Sequence, residues 1–78
     1  MFAPIRLPDL KVSSVVLSVW YAQPGDEVFE GDRLVEVLVG SATFDVPAPA
    51  TGKLVEQKVW AGDSLVAGQV LGTIEMTK

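Results

Sequence analysis

The sequence predicts an all-β domain, with short strands packed as a flattened barrel or sandwich. Three observations carry that reading. Apolar residues alternate with period two, and no stretch holds a 3.6-residue apolar stripe. Gly, Pro and Asp punctuate the chain at short intervals. The chain also repeats itself once: Gly25-Asp26-Glu27-Val28-Phe29-Glu30-Gly31-Asp32-Arg33-Leu34 is echoed 37 positions on by Gly62-Asp63-Ser64-Leu65-Val66-Ala67-Gly68-Gln69-Val70-Leu71. Leu17 and Leu54 extend the match upstream, and Val37 and Ile74 extend it downstream. Two copies fall short of the roughly three that a solenoid needs, so the repeat implies a pseudo-two-fold axis inside one domain spanning 1–78.

The elements follow in order. Val15, Leu17 and Val19 alternate with Val16, Ser18 and Trp20 as a first strand. Pro24-Gly25-Asp26 and Gly31-Asp32 are turns around a short apolar step, and an Asp after Gly is expected to bond the backbone beyond its turn. Val35, Val37 and Val39 then alternate with Leu34, Glu36 and Leu38. Gly40-Ser41 makes a two-residue hairpin turn with Gly first, the order that type II′ prefers. Phe44 and Val46 flank Asp45, and Phe44 is expected to pack under the turn. After Pro47-Ala48-Pro49 and Thr51-Gly52, a strand through Val59 takes up Lys53 and Lys58. Gly62-Asp63 and Gly68 repeat the turns, and a last strand carries Ile74. The two halves run over about 12–39 and 42–75. Trp20 and Trp60 are expected to pack in the core or at its rim, with ligand stacking as the alternative.

Composition excludes several functions. With 78 residues there is room for one small domain, which buries only about 60% of its unfolded surface. Apolar residues make up 49%, which fits a folded domain rather than a disordered chain. Cysteine is absent, which removes disulfides, thiolate nucleophiles and zinc–thiolate sites. Histidine is absent as well, which removes the commonest general base and metal ligand. A net charge of −4 argues against nucleic acid, whose binders displace counterions with a basic face. No apolar run approaches the roughly 20 residues of a membrane span, and Met1-Phe2-Ala3-Pro4-Ile5-Arg6 lacks a signal-peptide core. A soluble monomer in the cytoplasm, or in the matrix of a mitochondrion, is the expectation.

Catalysis has little to work with. Several of the ten acids lie in or beside turns, where carboxylates are normally solvated. Ser41 has no histidine to activate it. No Gly-rich phosphate loop precedes a helix. The expectation is a non-enzymatic domain with no catalytic residue and no metal.

The order of motifs resembles a lipoyl or biotinyl attachment domain from Ile5 to Glu75. The matching pieces are Leu7-Pro8, Trp20 five residues before Gly25-Asp26, Gly31, Ala42-Thr43-Phe44, Pro47-Ala48-Pro49, Gly52, Gly62-Asp63 and Gly68. The resemblance implies a flattened barrel of two four-stranded sheets related by a pseudo-dyad. A carrier lysine would protrude at one end, and the two termini would meet at the other. By the repeat, Lys78 is the symmetry partner of Ser41. In 2-oxo acid dehydrogenase complexes such a domain ferries an acyl group on a lipoyl-lysine between a thiamine-dependent enzyme and an acyltransferase. Lipoate is therefore the cofactor that the family leads one to expect.

The chain departs from the family at that lysine. The turn that usually reads Asp-Lys-Ala is Gly40-Ser41-Ala42 here, and the biotinyl Met-Lys-Met is absent too. Lys11, Lys53, Lys58 and Lys78 do not map onto the turn. The expectation is an unmodified docking or structural domain with no cofactor. Its partners would be proteins such as dehydrogenase-complex subunits, with Asp26, Glu27, Glu30, Asp32 and Glu36 as candidate determinants. Two alternatives stand beside it. One is a carrier domain whose turn was engineered away. The other is a structural barrel of the membrane-fusion-protein type, against which the short 46–52 joint leaves no room for a helical insertion. The ending Met76-Thr77-Lys78 fits an excised domain and a stand-alone protein equally well.

Overall fold

A computed structural model describes residues 1–77 as eight strands with no helix. They are β1 (Phe2–Arg6), β2 (Val15–Trp20), β3 (Glu27–Val28), β4 (Arg33–Val39), β5 (Ala42–Pro47), β6 (Gly52–Gln57), β7 (Ser64–Leu65) and β8 (Val70–Met76). They form two antiparallel four-stranded sheets, β1-β8-β6-β3 and β5-β4-β2-β7. Advancing each strand of the first sheet by four, cyclically, gives the second sheet in the same order. That is the pseudo-two-fold relation which the sequence repeat implies. Each sheet draws two strands from each half, so neither half can complete a sheet alone.

The symmetry extends to single residues. Gly25 N–H donates to the Leu54 carbonyl at 2.7 Å, and Gly62 N–H donates to the Leu17 carbonyl at 2.8 Å. Leu54 and Leu17 return bonds to the Asp26 and Asp63 carbonyls, both at 2.9 Å. Each Gly-Asp turn thus clasps a long strand of the opposite half. The ladder slips at Ser18, between Leu17 and Val19, and again 37 residues on at Val55, between Leu54 and Glu56. It also slips at Leu34 and at Leu71, another matched pair. β1 corresponds to β5 with an offset of 41, because residues 8–14 form a loop four residues longer than its counterpart.

These bulges decide which side chains reach the core. A bulge adds one residue to one strand and resets the alternation. Leu34 and Val35 are therefore both buried although adjacent, and so are Leu71 and Gly72. Val19, expected to share a face with Val15 and Leu17, is turned outward, and Trp20 turns toward the core instead. The core runs through Ile5, Leu17, Leu34, Val37, Leu54, Leu71 and Ile74, all close to fully buried. Each contributes roughly 1.5–3 kcal/mol relative to exposure.

Trp20 lies across the two sheets. Its indole N–H donates to the Val59 carbonyl at 2.9 Å, and its ring edge covers Gly72 of the opposite sheet. A large residue thus meets a position without a side chain. Gly52 is equally constrained, since a Cβ there would run into the Glu75 carbonyl oxygen. Several local expectations need correction. Trp60, at 58% exposure, stands on the turn before β7 and is not core. Phe44 lies on the inner face of edge strand β5 and stays 38% exposed rather than buried under the turn. β6 ends at Gln57, so Lys58 and Val59 lie past the strand.

Candidate functional site

The β4–β5 hairpin closes one end of the β5-β4-β2-β7 sheet. Val39 pairs with Ala42, leaving Gly40 and Ser41 as a two-residue loop. Gly40 has φ of 64° and Ser41 does not have a positive φ, which fits type II′ and excludes type I′. Ser41 and Ala42 are exposed, so a side chain at either position projects into water. β5 carries the chain about 17 Å from the tip before the turn into β6. There Gly52 lies beside Met76, whose N–H donates to the Met1 carbonyl at 2.8 Å. The paired chain ends thus lie away from the tip. Lys78, the expected symmetry partner of Ser41, lies outside the described residues.

The loop of residues 8–14 enters β2 at Val15, which pairs with Val39, so this loop flanks the tip. Lys11 adopts a φ of 62°, with its N–H on Asp9 Oδ1 at 2.9 Å and its Nζ 3.9 Å from Asp9 Oδ2. Lys53 lies on β6 between Glu27 and Glu75, and Lys58 pairs with Glu56 at 3.8 Å. Neither belongs to the tip.

The structure divides the five candidate acids. Asp26 Oδ2 accepts from Gln23 N–H at 2.9 Å, and Asp32 Oδ2 accepts from Phe29 N–H at 3.0 Å. Their repeat partners behave alike: Asp63 takes Trp60 N–H, and the Gln69 amide oxygen takes Val66 N–H, both at 2.9 Å. These carboxylates reach back to a residue three before them, not beyond the turn as expected. They brace turns. Glu27 lies on the sheet of β6 and β8, while Glu36 lies on the other sheet, so the five form no single patch.

Glu36 belongs to a cluster that the sequence did not reveal. Tyr21 O–H donates to Glu36 Oε1 at 3.0 Å. The Arg33 guanidinium sits 4.7 Å from the Tyr21 ring centroid and 3.6 Å from Asp45 Oδ2. The hydrogen bond to Glu36, followed by partial desolvation and the negative charge of Glu36, raises the Tyr21 phenol above its ordinary 10. Among the described residues there is no pocket and no group of three or more metal-ligating side chains.

A family model described as "Biotin-requiring enzyme" (Biotin_lipoyl) matches residues 3–74. The chain belongs to the biotin/lipoyl family. It is 35% identical over 72 residues to the dihydrolipoyllysine-residue acetyltransferase component of the pyruvate dehydrogenase complex of Bacillus subtilis, a match covering 90% of this chain and 16% of that protein. It is 32% identical over 74 residues to the succinyltransferase component of the 2-oxoglutarate dehydrogenase complex of the same organism, covering 92% of the chain and 18% of the relative. The chain therefore spans less than a fifth of the length of these relatives. The solution structure of the lipoyl domain of the 2-oxoglutarate dehydrogenase complex from Azotobacter vinelandii superposes with a TM-score of 0.77, covering 96% of this chain and 98% of that one. At 22% identity that likeness speaks for the fold. The chain is a lipoyl-type domain like those of the acyltransferase components.

Proposed function

We propose that this lipoyl-type domain works without a cofactor, as a non-catalytic docking module for subunits of a 2-oxo acid dehydrogenase-type assembly. One observation carries the reading. The exposed hairpin tip, where the family's lysine is taken to stand, presents Gly40-Ser41 and no amine. An amide-linked lipoyl or biotinyl group requires a primary amine, which a serine hydroxyl does not replace. The tip residues do not fit the group, and Lys11, Lys53 and Lys58 sit on other elements. The turns, clasps and core of the scaffold are nonetheless complete, which supports a role for the surface itself.

Intact-mass measurement after co-expression with a lipoate ligase tests the first part. The unmodified polypeptide is expected, and an adduct on any lysine would overturn it. Co-precipitation with purified dehydrogenase-complex components at low and high salt tests the second. Binding at low salt that weakens at high salt is expected, because exposed charges are screened beyond about 8–10 Å at physiological ionic strength. No binding at either salt removes the docking role.

A further inference from the structure

The pseudo-dyad supplies an internal control for the two outer faces. On the β5-β4-β2-β7 sheet, Val16 and Leu38 are directly opposed and point outward, and the slip at Ser18 brings Val19 onto the same face. Val19 and Leu38 are each 41% exposed. At the equivalent positions of the other sheet, 37 residues on, stand Lys53, Glu56 and Glu75. The same backbone positions thus tolerate charge on one face and carry aliphatic side chains on the other. Two neighbouring pairs run the opposite way, with Thr43 and Ser18 here and Phe2 and Val55 there, so the patch is confined to three side chains of β2 and β4. Its next row is acidic: Val19 pairs with Glu36, and Glu36 with Asp45. Arg33 is the single cation on these four strands and is tied to Asp45.

We propose that Val16, Val19 and Leu38 form a protein-docking patch for a partner segment presenting aliphatic side chains flanked by Lys or Arg. The proposal rests on the docking reading above and gives it a face and a partner chemistry. Charge complementarity selects this occupant over a second copy. An isologous dimer would bring two copies of the same acid-flanked patch together, and three side chains fall well short of the roughly 1,200 Å² of a stable interface. Leu38 lies two residues before Gly40, so a partner on this face would also meet the hairpin tip.

The test is an amide-shift titration of the isotope-labelled domain with a short amphipathic Leu/Lys peptide, beside its Leu/Glu counterpart. The Leu/Lys peptide is expected to shift residues around 16, 19 and 38 and to leave 53, 56 and 75 unmoved. The Leu/Glu peptide is expected to bind more weakly. The V19S/L38S variant, which removes aliphatic surface without changing charge, should lose roughly tenfold or more in affinity for Leu/Lys. Adding V16S removes the last aliphatic side chain of the patch, and the double variant retains Val16 should the triple one unfold. Shifts on both faces, unchanged binding by V19S/L38S, or concentration-dependent shifts without peptide would each overturn the proposal. The same footprint is then read with purified dehydrogenase-complex components. A patch that takes the peptide but no component leaves the inference standing and removes the docking role. Components that bind elsewhere do the reverse.

Discussion

Ser41→Lys gives the sharpest test of the tip. Position 41 is exposed, its φ is not positive, and it belongs to neither ladder, so lysine meets no steric obstacle there. Exposed substitutions of this kind change stability by less than about 0.5 kcal/mol. At about 4–8 °C per kcal/mol for a domain of this size, Tm should move by no more than about 4 °C. Adding Gly40→Asp is different. Gly40 has a φ of 64°, where a residue with a Cβ is strained by about 1–2 kcal/mol, although its Cβ would meet no neighbour. The double variant should therefore melt roughly 4–16 °C below the parent chain and still fold. Both variants are incubated with lipoate ligase, ATP and lipoic acid, and their intact masses are read. The single variant is expected to take one lipoyl group, and the double variant to take it more completely. If both stay folded and neither is modified, the tip does not present position 41 as a carrier turn, and the assignment of Ser41 to the missing lysine fails.

Gly52→Ala should cost about 1–3 kcal/mol, because the Glu75 carbonyl and the ladder to β8 leave no room for a methyl group; an unchanged denaturation midpoint would refute that packing. Trp20→Ala should cost about 2–4 kcal/mol through the lost indole bond and the gap over Gly72, while Trp60→Ala stays within about 0.5 kcal/mol. Equal effects in urea denaturation would contradict their placement. Tyr21 is the only tyrosine, so ultraviolet titration reads it directly. Its midpoint should lie above 10 and fall in Glu36→Gln. A phenol raised by folding favours the native state below its unfolded pKa, so this contribution is lost as pH rises through the folded value.

The repeat, the period-two pattern and the Gly-Asp turns were enough, from the sequence alone, to define an all-β fold with internal symmetry. These signals are local: a turn residue acts on its neighbours, and alternation follows from the pleat. The hairpin at Gly40-Ser41 was legible for the same reason. That Gly40-Ser41 carries no side-chain amine needs no fold to read. What only the tertiary structure decided depends on register. The slips at Ser18, Leu34, Val55 and Leu71 depend on which strand lies opposite, and they reverse the face of every residue that follows. Alternation read through Ser18 therefore put Val19 on the face of Val15 and Leu17, whereas the slip turns Val19 outward and brings Trp20 over Gly72. It also could not gather Tyr21, just past β2, with Arg33 and Glu36 of β4 and Asp45 of β5. The outer faces show the same division. Val16, Val19 and Leu38 read as ordinary strand apolars until pairing sets them beside one another, opposite in kind to Lys53, Glu56 and Glu75 on the other sheet.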